Sequence, residues 1–132
     1  MREILFRAKA KDGKWKEGLP FYDPDGEIVG IETKEGYVFT IERYTLQQYI
    51  GIKDKHGTKI FEGDIVKMSF IEEGEEGEPE YLTVYWDDKV NGFLCHSNQT
   101  TMSVDSDLLS DGEVVGNIHD NPELVEVEAC RM

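Results

Sequence analysis

Two carboxylates flank a glycine at Glu62-Gly63-Asp64, a spacing at which both side chains can share a cation or divide the work of an acid and a base. The same three residues also make a bend. Glycine enters backbone conformations closed to other residues, and an aspartate at a strand entrance accepts backbone N–H bonds. Turn chemistry favours the bend, because an alternating apolar run, Val66, Met68 and Phe70, begins directly after it. Asp23, Asp25 and Glu27 in "DPDGE" resemble the start of a calcium loop, but the glycine falls at the fourth position and strand patterns flank the segment. A calcium loop needs its glycine at the sixth position and helices on either side. "DPDGE" therefore reads as a turn, and "DSDLLSDGE" with Asp105, Asp107 and Asp111 as a loop with capping carboxylates.

His56, His96 and His119 are widely spaced, and no Cys-x-x-Cys, His-x-x-x-His or phosphate-cradling glycine cluster occurs. Cys95 and His96 are neighbours in a strand pattern, so their side chains point to opposite faces. No catalytic residue, metal ligand or cofactor is assigned. Cys95 and Cys130 are the two cysteines, far apart, and read as free thiols of a reducing compartment. "NQT" at 98–100 would matter only on a secreted chain.

The elements that must carry these residues are short strands. In "EILFRAKAKDGKW", Ile4, Phe6 and Ala8 alternate with Glu3, Leu5 and Arg7, and "KDGK" supplies a hairpin turn. "DPDGE" leads into a strand through Ile28 to Ile31, and "KEGY" turns into "YVFTI". Leu46, Tyr49 and Ile50 stand at i, i+3 and i+4, which predicts a short helical turn capped by Thr45. Val66 and Met68 then answer Leu82, Val84 and Trp86 across an antiparallel hairpin. The connection carries six glutamates between 72 and 80, and their repulsion predicts a solvated, mobile loop over 71–80. Further strands follow at Phe93–His96 and in "EVVGNI", with one helical turn near "DSDLL". The four or five short strands between residues 60 and 119 describe a small, strongly bent sheet or barrel. On β-alternation, Trp86 faces the core, while Tyr81 and Tyr85 face outward beside the acidic loop, either as an exposed aromatic rim or packed beneath the N-terminal strands.

The 132 residues carry 28 acids and 14 bases, a net charge of −14. Such a field repels phosphate backbones and anionic lipid and attracts basic protein surfaces. No apolar run approaches the ~20 residues that span a bilayer, and charges interrupt the N-terminal segment, so a cytoplasmic protein is expected. Arg2, Arg7, Lys9, Lys11, Lys14 and Lys16 gather near the N-terminus, which keeps a nucleic-acid-binding barrel open as an alternative.

Four segments occur in order: "MREILFRA", "QYIGIKDKHGTKIFEGDIVK", "VYWDD…GF" and "VVGNIHDNPEL". Together they resemble the YopX-like family of phage and prophage proteins, most specifically over 48–67 and 114–124. Residues 10–44 and the acidic loop match no motif. The resemblance implies a phage or prophage origin and a mainly β fold with an SH3-type barrel in the C-terminal part. It implies no activity, because the family is one of unknown function.

The expected architecture is an N-terminal β-rich segment over 1–49, packing on an SH3-like barrel over 50–132 with a C-terminal tail. Gly51, Gly57, Gly63, Asp64, Gly116 and Asn117 are read as structural, and Tyr81 and Tyr85 as a candidate binding surface. The expected role is a non-enzymatic, protein-binding accessory protein with a basic host or phage partner. A homo-oligomer remains open, and a small metal-dependent enzyme using Glu62 and Asp64 is the alternative.

Overall fold

The computed structural model describes residues 3–69, 71–72, 74–97, 101–104 and 106–124. Phe70, Asp105, Cys130, Arg2, the "NQT" segment and the tail beyond 124, named above, lie outside them. The chain divides into two compact units, Met1–Gly51 and Ile52–Met132.

The first unit holds β1 (Phe6–Lys9), β2 (Trp15–Tyr22), β3 (Ile28–Glu32), β4 (Val38–Thr40), a 3-10 turn at Arg43–Thr45 and most of β5 (Gln47–Lys53). They lie in the antiparallel order β4-β3-β2-β1-β5. The sheet curls far enough for Ala10 to form a bridge with Ile41, beyond the ends of β1 and β4. Its core is Ala8, Ile31 and Ile41, packed by Phe6, Ile28, Phe39 and Leu46. β2 carries no alternating apolar pattern in the sequence, because Gly18 and Pro20 interrupt it. Gly18 is required by packing, since a Cβ there would collide with the Glu32 carbonyl.

One hairpin loop recurs. In residues 10–14, 23–27 and 33–37, the first N–H donates to the last carbonyl, and the glycine N–H at the fourth position donates back to the first. Each glycine holds positive φ (Gly13 85°, Gly26 86°, Gly36 92°). This is the three-residue hairpin with an αL glycine, which sets register between right-twisted strands. In the second unit, residues 54–58 repeat it with Gly57.

Of the helical turn expected over 45–50, residues 47–50 belong to strand β5, and Thr45 instead ends the 3-10 turn Arg43–Thr45. The Thr45 hydroxyl accepts the Lys9 N–H at 2.8 Å and donates to the Glu42 carbonyl at 2.6 Å, so it ties β1 rather than capping a helix. Ladder bonds to β1 outweigh a helical spacing of three apolar residues.

The second unit contains β6 (Lys59–Phe61), β7 (Asp64–Met68), β8 (Ile71–Glu72), β9 (Glu75–Glu76), β10 (Glu80–Asp87), β11 (Gly92–His96), β12 (Thr101–Ser103), α1 (Ser106–Leu109) and β13 (Glu113–Asn117). β6 adds to the end of β5, and the principal sheet runs β12-β11-β10-β7-β13. β7, between β10 and the edge strand β13, is buried on both faces, at Asp64, Ile65, Val66 and Met68. The mainly β class expected from the sequence is observed, but the C-terminal barrel is not closed. Among the described residues β12 and β13 stay at opposite edges of an open sheet. Alternation identifies strands but not which edges meet, and here the edge of β13 is taken by a side chain described below. The acidic loop is also not featureless: β8 and β9 pair as a two-stranded ribbon, Ile71 opposite Glu76 and Glu72 opposite Glu75.

Candidate functional site

The Glu62-Gly63-Asp64 corner joins β6 to β7. Gly63 holds φ 86°; its N–H donates to the Val84 carbonyl at 2.7 Å and its carbonyl accepts the Ile118 N–H at 2.9 Å. Asp64 is 1% exposed, and its Oδ2 accepts the Phe61 N–H at 2.8 Å. The carboxylate thus closes the bend from within, by the local side-chain-to-backbone bonding that aspartate favours.

The second motif segment closes on this corner. Asn117 stands opposite Asp64 in the β7–β13 ladder. Its Oδ1 accepts the His119 and Asp120 N–H groups at 2.9 and 3.0 Å, while Asn121 Oδ1 accepts the Asn117 N–H at 3.2 Å. Gly116 is needed there for space: an added Cβ would come within 2.6 Å of Asn121 Cγ. "GNIHDN" is therefore a self-capped loop stitched to the corner through Gly63 and Ile118.

A third tie was missed in the sequence. Asp54 is 6% exposed, and its Oδ1 accepts the His56 and Thr58 N–H groups at 2.8 and 2.9 Å. Its Oδ2 reaches across 60 residues of chain to the Val114 N–H at 2.9 Å. The Lys55 N–H adds a bond to the Gly112 carbonyl at 3.0 Å. Burial pushes the Asp54 carboxyl up, but the Val114, Thr58 and His56 N–H donors, with the His56 ring, outweigh it and leave the group below its ordinary value. Asp23 occupies the same position in its own loop and accepts the Asp25 and Glu27 N–H groups, both at 2.9 Å. That carboxylate is a turn cap on an exposed loop; only the fold gives Asp54 its distant donor. By filling the outward N–H of β13, Asp54 also blocks a sheet edge from pairing elsewhere.

Tyr81 and Tyr85 share the face of β10 opposite Leu82 and Val84, and both are half-buried. Tyr81 stands opposite Lys67, and the Tyr85 ring meets His96 edge-on at 4.8 Å. Trp86 departs from expectation. It lies at the end of the apolar face, where the sheet no longer covers it, and is 41% exposed. Its Nε1–H donates to Asp88 Oδ1 at 2.7 Å, and its ring packs edge-on against Phe93 at 5.1 Å.

In the first unit, Arg7 and Lys9 lie over the Trp15 ring at 4.8 and 5.9 Å. Lys16 lies over Phe39 at 4.3 Å and pairs with Asp12, while Lys11 pairs with Glu42. Cys95 is buried, its thiol pushed up to about 11 by that burial, which keeps it protonated and unreactive at neutral pH. Among the described residues no three His, Cys, Asp or Glu side chains converge as a metal site. Among them, too, no helix is long and apolar enough to cross a membrane.

The same architecture occurs in a crystal structure of protein EF1440 from Enterococcus faecalis. It is 22% identical in sequence with a TM-score of 0.66, over 95% of this chain and 99% of that one. No curated protein shows significant similarity to the sequence. The segments that meet around Asp54, Gly63 and Asn117 all fall within a match to the YopX protein family over residues 5–126. With that match covering most of its length, the chain belongs to the YopX family.

Proposed function

We propose that this chain is a non-enzymatic accessory protein of phage or prophage origin that acts in the bacterial cytoplasm by binding a basic protein. One observation carries the reading. Residues 1–51 hold eight bases and nine acids, whereas residues 52–132 hold six bases and nineteen acids. Nearly all of the −14 is concentrated in one unit. A field of that sign steers basic surfaces toward it and repels nucleic acid. The partner is a basic protein of host or phage, one class being a nucleic-acid-binding protein whose phosphate ligand the acidic unit imitates.

A second reading has its own observation. The first unit is nearly neutral and presents two cations over Trp15, an arrangement that also suits stacked bases. Affinity capture from host lysate at low and high salt, followed by competition with duplex DNA, separates the two. Loss of a basic partner at high salt, and its displacement by DNA, is the expected outcome. A partner retained at high salt removes charge as the driving force, and direct salt-sensitive binding of DNA by the protein alone promotes the N-terminal strands.

A further inference from the structure

Trp86 is an indole held in place on a surface. Tryptophan is a large apolar residue that usually buries its ring and finds a partner for its N–H. Here the N–H is satisfied inside the hairpin by Asp88 Oδ1 at 2.7 Å, and Phe93, its cross-strand neighbour, fixes the ring edge-on. Nevertheless 41% of the residue is exposed, and Val90 at the tip of the same hairpin is 60% exposed. The turn is built to keep this arrangement. Asp87 Oδ1 accepts the Lys89 and Val90 N–H groups at 2.7 and 3.3 Å, and Asn91 takes φ 55°. Trp86, Asp87, Asp88, Gly92 and Phe93 all belong to the "VYWDD…GF" segment, and their contacts hold a ring that stays partly open to solvent.

Among the described residues, the Oδ2 atoms of Asp87 and Asp88 make no hydrogen bond or ion pair. The tip therefore offers a fixed indole with the Asp88 carboxylate at its edge and the Asp87 carboxylate in the same turn, on the unit that carries most of the negative charge. A guanidinium fits both parts: its plane stacks on an indole while its N–H fork meets carboxylate oxygens. An ammonium supplies the charge without the plane or the fork. We infer that the β10–β11 tip, Trp86 with Asp87 and Asp88, is a contact surface for an arginine side chain of a protein partner. This rests on the proposal that the partner is basic, and it names where and through which side chain the contact forms.

Trp15 and Trp86 are the only tryptophans, so Trp15→Phe leaves Trp86 as sole emitter. The full chain carrying Trp15→Phe is titrated with a synthetic peptide of alternating arginine and glycine, and with its lysine counterpart of equal length. Trp86 emission should change saturably with the arginine peptide, whose affinity should exceed that of the lysine peptide by roughly five-fold or more. Asp87→Asn with Asp88→Asn keeps both side-chain acceptors and removes both charges, so the hairpin stays intact while arginine-peptide affinity falls by a similar factor. Trp86→Leu, followed by calorimetry, should abolish the preference for arginine. Equal affinity for the two peptides in the parent overturns the assignment. So does salt-sensitive binding left unchanged by these variants, which would place the contact elsewhere on the acidic unit and leave the broader proposal standing. The absence of any salt-sensitive binding would sink both. A concentration-dependent change in Trp86 emission without peptide would show a second copy covering the indole, and would overturn the arginine contact.

Discussion

Replacing Asp54 by alanine removes the acceptor for three backbone N–H groups at once, those of His56, Thr58 and Val114. A hydrogen bond to a charged group contributes about 1.5–3 kcal/mol net, and an orphaned buried donor costs about 1–3 kcal/mol. Water reaches the His56 and Thr58 amides once the side chain is gone, because their loop is largely exposed. The Val114 amide has less recourse. The expected loss for Asp54→Ala is therefore about 3–5 kcal/mol, a large part of the 5–15 kcal/mol typical of a domain. Asp54→Asn keeps one oxygen, enough for the local pair, but turns its NH2 group toward the Val114 N–H, so about 1–2 kcal/mol should go. Denaturant unfolding of the three proteins gives the ranking. Amide exchange then locates it: Val114 should lose protection in both variants, and Thr58 chiefly in the alanine variant. A loss below about 1 kcal/mol for Asp54→Ala, or an unchanged Val114 amide, would refute the claim that this carboxylate fastens the edge of β13.

Because the folded Asp54 carboxyl lies below its ordinary value, its stabilisation is complete above the unfolded value of about 3.9 and disappears as pH falls through the folded one. Acid unfolding should accordingly be less steep below about pH 4 in Asp54→Asn than in the parent, and equal steepness would contradict this. Gly63→Ala should cost about 1 kcal/mol or more by thermal or chemical denaturation, since φ 86° strains any residue with a Cβ. Asp64→Asn should retain the bond from the Phe61 N–H and do less harm; a divalent ion that binds the parent in calorimetry and not this variant would favour the metal reading. Replacing residues 72–80 by a short glycine-rich turn should leave the thermal midpoint unchanged or raised, because it removes six like charges. Cooperative loss of folding would instead make the β8–β9 ribbon structural.

Legibility followed range. The αL glycines at 13, 26, 36 and 57 could be read because each loop is closed by its own five residues, and the alternation of Leu82 and Val84 because one face of a strand is local information. Thr45 was misread for the opposite reason. Its hydroxyl is committed to Lys9, 36 residues away, and no spacing rule within 45–50 contains that contact. Asp54 and Asp23 are nearly indistinguishable in sequence, each an aspartate three residues before a glycine. Only the arrival of β13 beside one of them turns a loop cap into a long-range tie. Trp86 inverted expectation because period two assigns a face without saying where that face ends.

The specificity of a sequence motif and the location of a function are separate matters in this chain. Gly63, Gly116, Asn117 and Asp54 are held by steric limits or by backbone hydrogen bonds, so substitutions there act first on folding. A loss of partner binding in such variants would say little about contact. The hairpin tip is different. Its contacts fix a ring that remains 41% exposed, and a residue on the surface adds little stability by being fixed there. Fixing it does reduce the ordering cost of a later contact, since a rotamer already set is not lost on binding. The combination of strong local constraint and weak burial is what separates Trp86 from the glycines and aspartates of the corner. For that reason, variants at Trp86, with the Asp87→Asn and Asp88→Asn changes that keep the acceptors of the turn, can report on recognition apart from the fold.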